Sequence, residues 1–196
     1  VDSALIALDA PLGWPRLPGP ALMNHRAGEP IREPAHDLFR RTTDVIVKRE
    51  TGQQPLDDGA DRIARTAVAA LTLLNAIRLR LSAAIPLAWN VEGDRIRAIE
   101  VYPAATLRQV GITPRSYKKP DQSATRLRMF DALVAHADMT SIQPAVEAHA
   151  DAFDAAVCCV AGADFLGRLC RAPDEHERQT AASEGWIWFR RAVAIR

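Results

Sequence analysis

Cysteine is scarce in this chain of 196 residues, with three residues in its C-terminal part: Cys158, Cys159 and Cys170. Vicinal cysteines do not readily pair with each other, and an odd number gives no disulfide framework. The paired CxxC spacing of a structural zinc site is also missing. These absences favour a reducing compartment, so we expect a cytoplasmic protein whose cysteines are small core residues.

Long apolar runs and a charge excess of one sign are missing too. The longest apolar stretch, 67–74, is followed by Asn75 and Arg78 and falls far short of the ~20 residues that span a bilayer. No basic-then-apolar leader is present at the start, and the sequence therefore predicts no membrane association. Because the formal net charge is only +1, we expect any contact with nucleic acid to be local.

Several catalytic spacings are absent as well. The sequence contains no GxSxG, Walker or GxGxxG motif and no HExxH spacing, which removes support for hydrolase triads, kinases and dinucleotide enzymes. The composition that remains, 48% hydrophobic and 25% charged, is that of an ordinary globular protein. We expect a single domain over residues 1–196.

Apolar patterning predicts an α/β fold. The uninterrupted apolar run Ala4–Leu8 is typical of a strand buried on both faces in a parallel sheet, and a long proline-rich loop follows it. The spacing predicts a core-packing helix over 58–84. The other predicted helices are 33–41, 104–110, 122–137 and 145–165, and the other predicted strands are 87–91 and 96–102, joined by a turn at 92–94, with a strand-like tail at 185–189.

Three acidic residues share one face of the predicted helix 145–165. Glu147, Asp151 and Asp154 stand at i, i+4 and i+7, and the same face continues into apolar residues. A carboxylate at such a boundary needs a cation, a hydrogen-bond network or a raised pKa, and a divalent metal satisfies several carboxylates at once. The alternative is a solvated acidic stripe near a helix N-terminus.

Two further carboxylates accompany predicted strands. Asp9 directly follows the first strand, where α/β sheets bind their ligands, although an Asx turn before Pro11 explains its position equally well. Glu100 alternates with apolar neighbours in the strand 96–102. It therefore faces solvent on an edge strand or points into a site.

Basic residues cluster in two places. Residues 108–128 carry six cations against Asp121: Arg108, Arg115, Lys118, Lys119, Arg126 and Arg128. A weaker cluster contains Arg40, Arg41, Lys48 and Arg49. Clustered cations beside an aromatic residue can track a phosphate backbone, whereas a solvated charged face is the alternative. We take Lys118, Arg126 and Arg41 as candidate phosphate contacts, which act by charge and carry no sequence information.

Six segments together resemble the DUF429 family, a group of uncharacterised proteins described as predicted nucleases of ribonuclease H-like fold. They are 6–13, 39–44, 55–63, 99–104, 117–118 and 151–164, and they span most of the chain. The resemblance implies a mixed sheet flanked by helices and a site in which carboxylates from strands and from the last major helix hold metal ions. On that basis Asp9, Asp151 and Asp154 are expected metal ligands, and Glu100 a fourth catalytic carboxylate.

The chain departs from the family pattern at its start. The family normally has strands before the segment 6–13, the first with a Gly-x-Asp carboxylate, whereas this sequence begins at Val1. Three explanations are open: the sequence begins downstream of the true start, the protein is a degenerate and inactive member, or another chain supplies the missing edge. We expect the first, because the sequence begins with Val.

The resulting hypothesis is a metal-dependent nuclease or phosphodiesterase that uses Mg²⁺ or Mn²⁺ held by Asp9, Asp151 and Asp154. Nucleic acid is the expected partner, and a homo-oligomer is left open. The alternative is a catalytically inactive ribonuclease H-like module that binds a nucleotide, nucleic acid or a protein partner.

Overall fold

The computed structural model describes residues 3–58, 61–93 and 95–192. They contain two strands, β1 (Ala4–Leu8) and β2 (Ile96–Glu100), and nine helices: α1 (Pro18–Leu22), α2 (Ala35–Phe39), α3 (Thr42–Thr51), α4 (Asp61–Leu81), α5 (Pro103–Gln109), α6 (Ser123–Val134), α7 (Gln143–Ala148), α8 (Ala150–Leu166) and α9 (Glu175–Glu184). The fold is therefore α/β, as predicted. These elements belong to two compact units, and the expectation of one domain over 1–196 stays a prediction.

The first unit contains both strands and α5 to α8. β1 and β2 pair in parallel, with Leu8 opposite Glu100, as the apolar run Ala4–Leu8 predicted. α8 packs against β1, and Gly162 of α8 faces Leu5 and Ala7 across this contact. Both strands thus end at one edge of the sheet, next to the helix that carries the predicted acidic stripe.

A second set of apolar contacts closes the core of this unit. α5, α6 and α7 pack on α8, and their buried side chains form one cluster with α8. Phe130, Phe153 and Val157 are completely buried in it. Burial on this scale fixes the register of α8 relative to its neighbours.

The second unit contains α1 to α4 and α9. α3 packs against α9, and the carboxylate of Glu184 accepts hydrogen bonds from the backbone N–H groups of Thr42 (2.8 Å) and Arg16 (3.1 Å). The backbone at Gly13 lies so close to the end of α9 that a Cβ at Gly13 would be 2.3 Å from the carbonyl of Glu184. Glycine at this position is therefore required by packing.

Several predicted elements are wrong in type or extent. The predicted helix 145–165 is divided at His149, whose extended backbone (φ −134°, ψ 130°) separates α7 from α8. The predicted strand 87–91 is reduced to a single bridge of Leu87 to Ala98, and that bridge is parallel, so no antiparallel hairpin forms there. Asp94 of the predicted turn lies outside the described residues, as do Gly59 and Ala60 of the family-like segment 55–63.

Burial also differs from the sequence-based expectation in two places. α4 buries a narrow stripe of Ala67, Ala70 and Leu74, whereas Leu71 and Leu81 of the predicted core face are exposed. Cys159 is exposed, while Cys158 and Cys170 are buried as expected. Within the described residues, none of the helices has both the length and the apolar character that crossing a membrane requires.

Candidate active site

The candidate site lies at the carboxyl ends of the two parallel strands in the first unit. β2 ends at Glu100, which is 4% exposed, and Asp9 follows directly after β1. The backbone N–H of Val101 donates to the carbonyl of Leu8 at 2.8 Å and keeps the two strand ends together. This edge is where parallel sheets bind ligands, because the strand ends and their following loops converge there.

α8 adds two carboxylates to this edge. Asp151 is in the first turn of the helix and is exposed, whereas Asp154 lies one turn further on and is 6% exposed. The break at His149 removes Glu147 from α8, so the predicted stripe of three carboxylates is reduced to two.

Three of the predicted catalytic carboxylates are close enough to the fourth, Asp9, to raise its pKa. Asp9 is solvent-exposed, yet its pKa is raised to about 6, first by desolvation and then by the charge of Asp154, with smaller contributions from Glu100 and Asp151. Only Lys118 lowers the pKa of Asp9 among these influences. The pKa of Asp9 is therefore raised mainly by burial and in part by neighbouring negative charge.

Asp154 is held by two neighbouring residues of one loop. The hydroxyl of Tyr117 donates to Oδ1 of Asp154 at 2.8 Å, and Nζ of Lys118 lies 2.9 Å from Oδ2. Burial lowers the pKa of Lys118, but the hydrogen bond to Asp154 and the charges of Asp154 and Asp9 outweigh it, and the pKa is raised overall. Lys118 is therefore an ammonium at neutral pH.

Tyr117 is anchored in the apolar core. Its side chain is almost fully buried and its ring lies against Phe153 with 4.9 Å between ring centroids. Burial, and next the charge of Asp154, raise the pKa of Tyr117 far above its usual range, so the hydroxyl stays a donor. The preceding residue, Ser116, has a left-handed backbone (φ 63°), which is uncommon for serine.

Arg126, predicted as a phosphate contact, lies inside the protein. It is 2% exposed, and its guanidinium donates to four backbone carbonyls, those of Tyr117, Lys119, Val146 and Glu147, at 2.7 to 3.1 Å. Two of these carbonyls belong to the last turn of α7 and two to the loop around Lys118. Arg126 therefore connects that loop to α7 through hydrogen bonds.

Arg41 is also buried, in the second unit. It is 1% exposed, pairs with Asp44 at 3.0 Å and with Asp58, and donates to the carbonyl of Glu184 at 3.2 Å. Of the three predicted phosphate contacts, Lys118 alone has an exposed side chain.

Sequence reasoning did not assign Tyr117 to the site. The sequence feature that could have found it was its place beside Lys118 in a segment that resembles the family. A tyrosine near lysines, however, fits nucleic-acid stacking as well as it fits a partner of a carboxylate.

Cys158 is a second neighbour of the carboxylates, and sequence reasoning assigned it only to the core. Burial, and next the charges of Asp9 and Asp154, raise the pKa of the Cys158 thiol, which stays neutral.

The oxygen donors of the four carboxylates are of the type that binds a hard divalent cation. Asp9, Glu100, Asp151 and Asp154 offer only carboxylate oxygens, which Mg²⁺ and Mn²⁺ prefer. Within the described part of the chain, however, no three His, Cys, Asp or Glu side chains converge closely enough to hold an ion. The carboxylates therefore suit such a cation by donor type, but their described arrangement does not form a site for it, and the metal site stays a prediction.

Comparison with known proteins identifies a family for most of the chain. Residues 1–178 match the sequence profile of the family described as "Protein of unknown function (DUF429)". No curated protein and no solved structure matches the chain.

Proposed function

The chain belongs to the DUF429 family, and from that premise we propose that it is a metal-dependent hydrolase of phosphodiester bonds with a ribonuclease H-like site. Asp9, Asp151 and Asp154 hold Mg²⁺ or Mn²⁺ in this proposal, Glu100 completes the carboxylate set, and nucleic acid is the substrate. The sequence resemblance to predicted nucleases supports the reaction class.

One observation carries the proposal, which is that two parallel strand ends and the helix packed on them place carboxylates at one edge of the sheet. The pKa of Asp9, raised to about 6 by desolvation and then by the charges of Asp154, Glu100 and Asp151, agrees with this placing. Concentrated carboxylates of this kind cost folding free energy unless a cation binds them. A cation that draws these carboxylates together would remove that cost.

In this proposal the bound cation, Tyr117 and Lys118 have different roles. A divalent cation bound there supplies an activated water and a counter-charge for the leaving oxygen. Tyr117 fixes Oδ1 of Asp154 through its hydroxyl, so that Asp154 presents its second oxygen in a constant position. Lys118, the exposed cation beside the carboxylates, binds a non-bridging phosphate oxygen of the substrate.

Substitution of Asp154 by asparagine tests the proposal. Asp154→Asn keeps the size and the hydrogen bond from Tyr117 but removes the charge, so we expect cleavage of single- and double-stranded DNA and of RNA with Mg²⁺ or Mn²⁺ to fall at least about 100-fold. Asp131→Asn, on the exposed side of α6, is the matched control and should cleave like the wild type. Full activity of Asp154→Asn, or cleavage that persists in a chelator, would contradict the proposal.

A second candidate is a non-catalytic module that binds nucleic acid. It is favoured by the ion pair of Lys118 with Asp154, since an internal ammonium already neutralises one carboxylate without a metal. This alternative predicts that oligonucleotides bind without being cleaved and that Asp154→Asn leaves their affinity unchanged or increases it.

A further inference from the structure

α4 exposes a stripe of mainly apolar side chains, which lies on a different side of the helix from its buried residues. Four members stand at i, i+4, i+7 and i+11, a spacing that keeps them on one face of a helix. They are Val68, Thr72, Asn75 and Leu79, with Leu71 beside them, and each of these residues is exposed. The exposed fraction is 57% for Val68 and 73% for Leu79. A continuous row of exposed apolar side chains, unlike scattered single ones, is typical of a surface that binds a partner.

The two polar members of the stripe favour a helix as that partner. The hydroxyl of Thr72 donates to the carbonyl of Val68 at 2.8 Å, so its hydrogen bond is made inside α4. Asn75 is then the one amide in the row, and a single asparagine among apolar contact residues is typical of paired helices, in which it sets the register. A lipid surface would bury this amide without a partner, which costs free energy.

The charge of α4 indicates which kind of helix fits. Residues 62–81 contain no Asp or Glu and four arginines, two before the stripe and two near its end: Arg62, Arg65, Arg78 and Arg80. A second copy of this chain, paired along the same stripe, would bring arginines towards arginines, and like charges across a contact weaken it. A helix with acidic residues beside its apolar row meets opposite charge at both ends of the stripe.

We propose that the exposed stripe of α4 is a docking surface for an acidic amphipathic helix of a partner protein. The apolar row of the partner packs on Val68, Leu71 and Leu79, and its carboxylates pair with the arginines at the two ends. The stripe belongs to the second unit, whereas the candidate carboxylate site belongs to the first. The inference is therefore independent of the proposed function.

A synthetic peptide tests the docking surface. It has 21 residues, the length of α4, with leucine along one face, one central asparagine in that row and glutamate at the flanking positions. Fluorescence anisotropy of the labelled peptide, kept dilute enough to stay monomeric, should show saturable binding to the protein with a Kd below about 100 µM. The same peptide with lysine in place of glutamate should bind at least about tenfold more weakly.

Substitutions on α4 locate the binding. Leu79→Gln removes the most exposed apolar side chain of the stripe and should weaken binding of the acidic peptide at least about tenfold. Leu73→Gln is the matched control, because Leu73 is 50% exposed on the same helix but lies outside the stripe, and it should bind like the wild type. Arg65→Gln should weaken binding about two- to fivefold, as loss of an exposed ion pair does.

Each other occupant of the stripe gives a different result. A dimer in sedimentation velocity that Leu79→Gln dissociates would assign the stripe to a second copy and overturn the proposal. Binding to vesicles of phosphatidylserine and phosphatidylcholine that Leu79→Gln abolishes would assign it to a lipid surface instead. The proposal also fails if the cooperatively folded protein does not bind the acidic peptide, if the two peptides bind equally, or if Leu73→Gln and Leu79→Gln lose binding equally.

Discussion

At the scale of single residues, Asp9 is a carboxyl group whose charge depends strongly on its surroundings. Desolvation and Asp154 raise its pKa from 3.8 to about 6, although the residue keeps contact with solvent. The native state therefore binds this proton more tightly than the unfolded chain does. Ionisation of Asp9 costs stability, and this cost grows as the pH rises from about 4 to about 6.

Asp9→Asn should therefore stabilise the protein at neutral pH and not at low pH. In a chelating buffer above pH 6 we expect a gain of about 1 kcal/mol in the free energy of unfolding, a value reduced for solvent screening, and no gain below the unfolded pKa of 3.8. Urea unfolding at pH 3.5 and pH 7.5 measures both. Equal destabilisation at the two pH values would show instead that the Asp9 carboxylate makes a favourable contact.

Position 13 requires glycine because there is no space for a side chain. A Cβ there would lie 2.3 Å from the carbonyl carbon and oxygen of Glu184, and a backbone group gives way less easily than a flexible side chain. Gly13→Ala should lower the free energy of unfolding by about 1–3 kcal/mol, as overpacking does. Gly19→Ala, where nothing lies within 4 Å, is the control and should be neutral or slightly stabilising. A neutral Gly13→Ala would mean that α9 can shift without loss of packing.

At the scale of secondary-structure elements, Arg126 joins α6, α7 and the loop that carries Tyr117 and Lys118. Its planar guanidinium reaches carbonyls in both places, and a lysine ammonium cannot span them. Arg126→Lys should therefore cost about 2 kcal/mol of stability, because buried carbonyls lose their donors. Arg128→Lys, exposed on the same helix, should change stability by less than about 0.5 kcal/mol. Comparable losses in the two variants, measured by urea unfolding, would contradict this role.

The elements that the sequence predicts correctly are those with a local cause. β1 matches the predicted range because a run without polar alternation has to be buried on both faces. α5 begins at Pro103, where the fixed φ of proline and its missing N–H suit a helix start. The parallel pairing of β1 with β2 also follows from the apolar character of the first strand.

The elements that the sequence misplaces depend on contacts between distant residues. The break at His149 has no proline or glycine to announce it, and the carbonyls it leaves at the end of α7 are bonded by Arg126 from another helix. Arg41 and Arg126 were predicted as phosphate contacts from their places in the basic clusters, yet each is buried where it donates to carbonyls or carboxylates. Periodicity contains no information about such partners.

In the predicted site, too, residues with a local sequence signal were found and a contact between distant residues was missed. Asp9 and Glu100 were found from their places at strand ends, and Asp154 from its place between an acidic and an apolar face. The partnership of Tyr117 with Asp154 was not predictable, since it requires a loop to return to a helix 37 residues further along the chain.

At the scale of the whole molecule, the distribution of cations limits how nucleic acid can be bound. The net charge is +1, and within the basic segment 108–128 the described structure buries Arg126. Five cations of that segment remain exposed: Arg108, Arg115, Lys118, Lys119 and Arg128. If this surface contacts the phosphates, no more than these five cations neutralise them.

The affinity for double-stranded DNA should therefore depend only moderately on salt. Each neutralised phosphate contributes about −0.9 to the slope of log K against log[salt], so five cations give a slope no steeper than about −4.5. Fluorescence anisotropy of a labelled duplex over a range of NaCl concentrations measures this slope, and Lys119→Gln should reduce its magnitude by about 0.9. A slope near −8 would require phosphate contacts from other parts of the chain, and a slope near zero would mean that this segment binds no phosphate backbone at all.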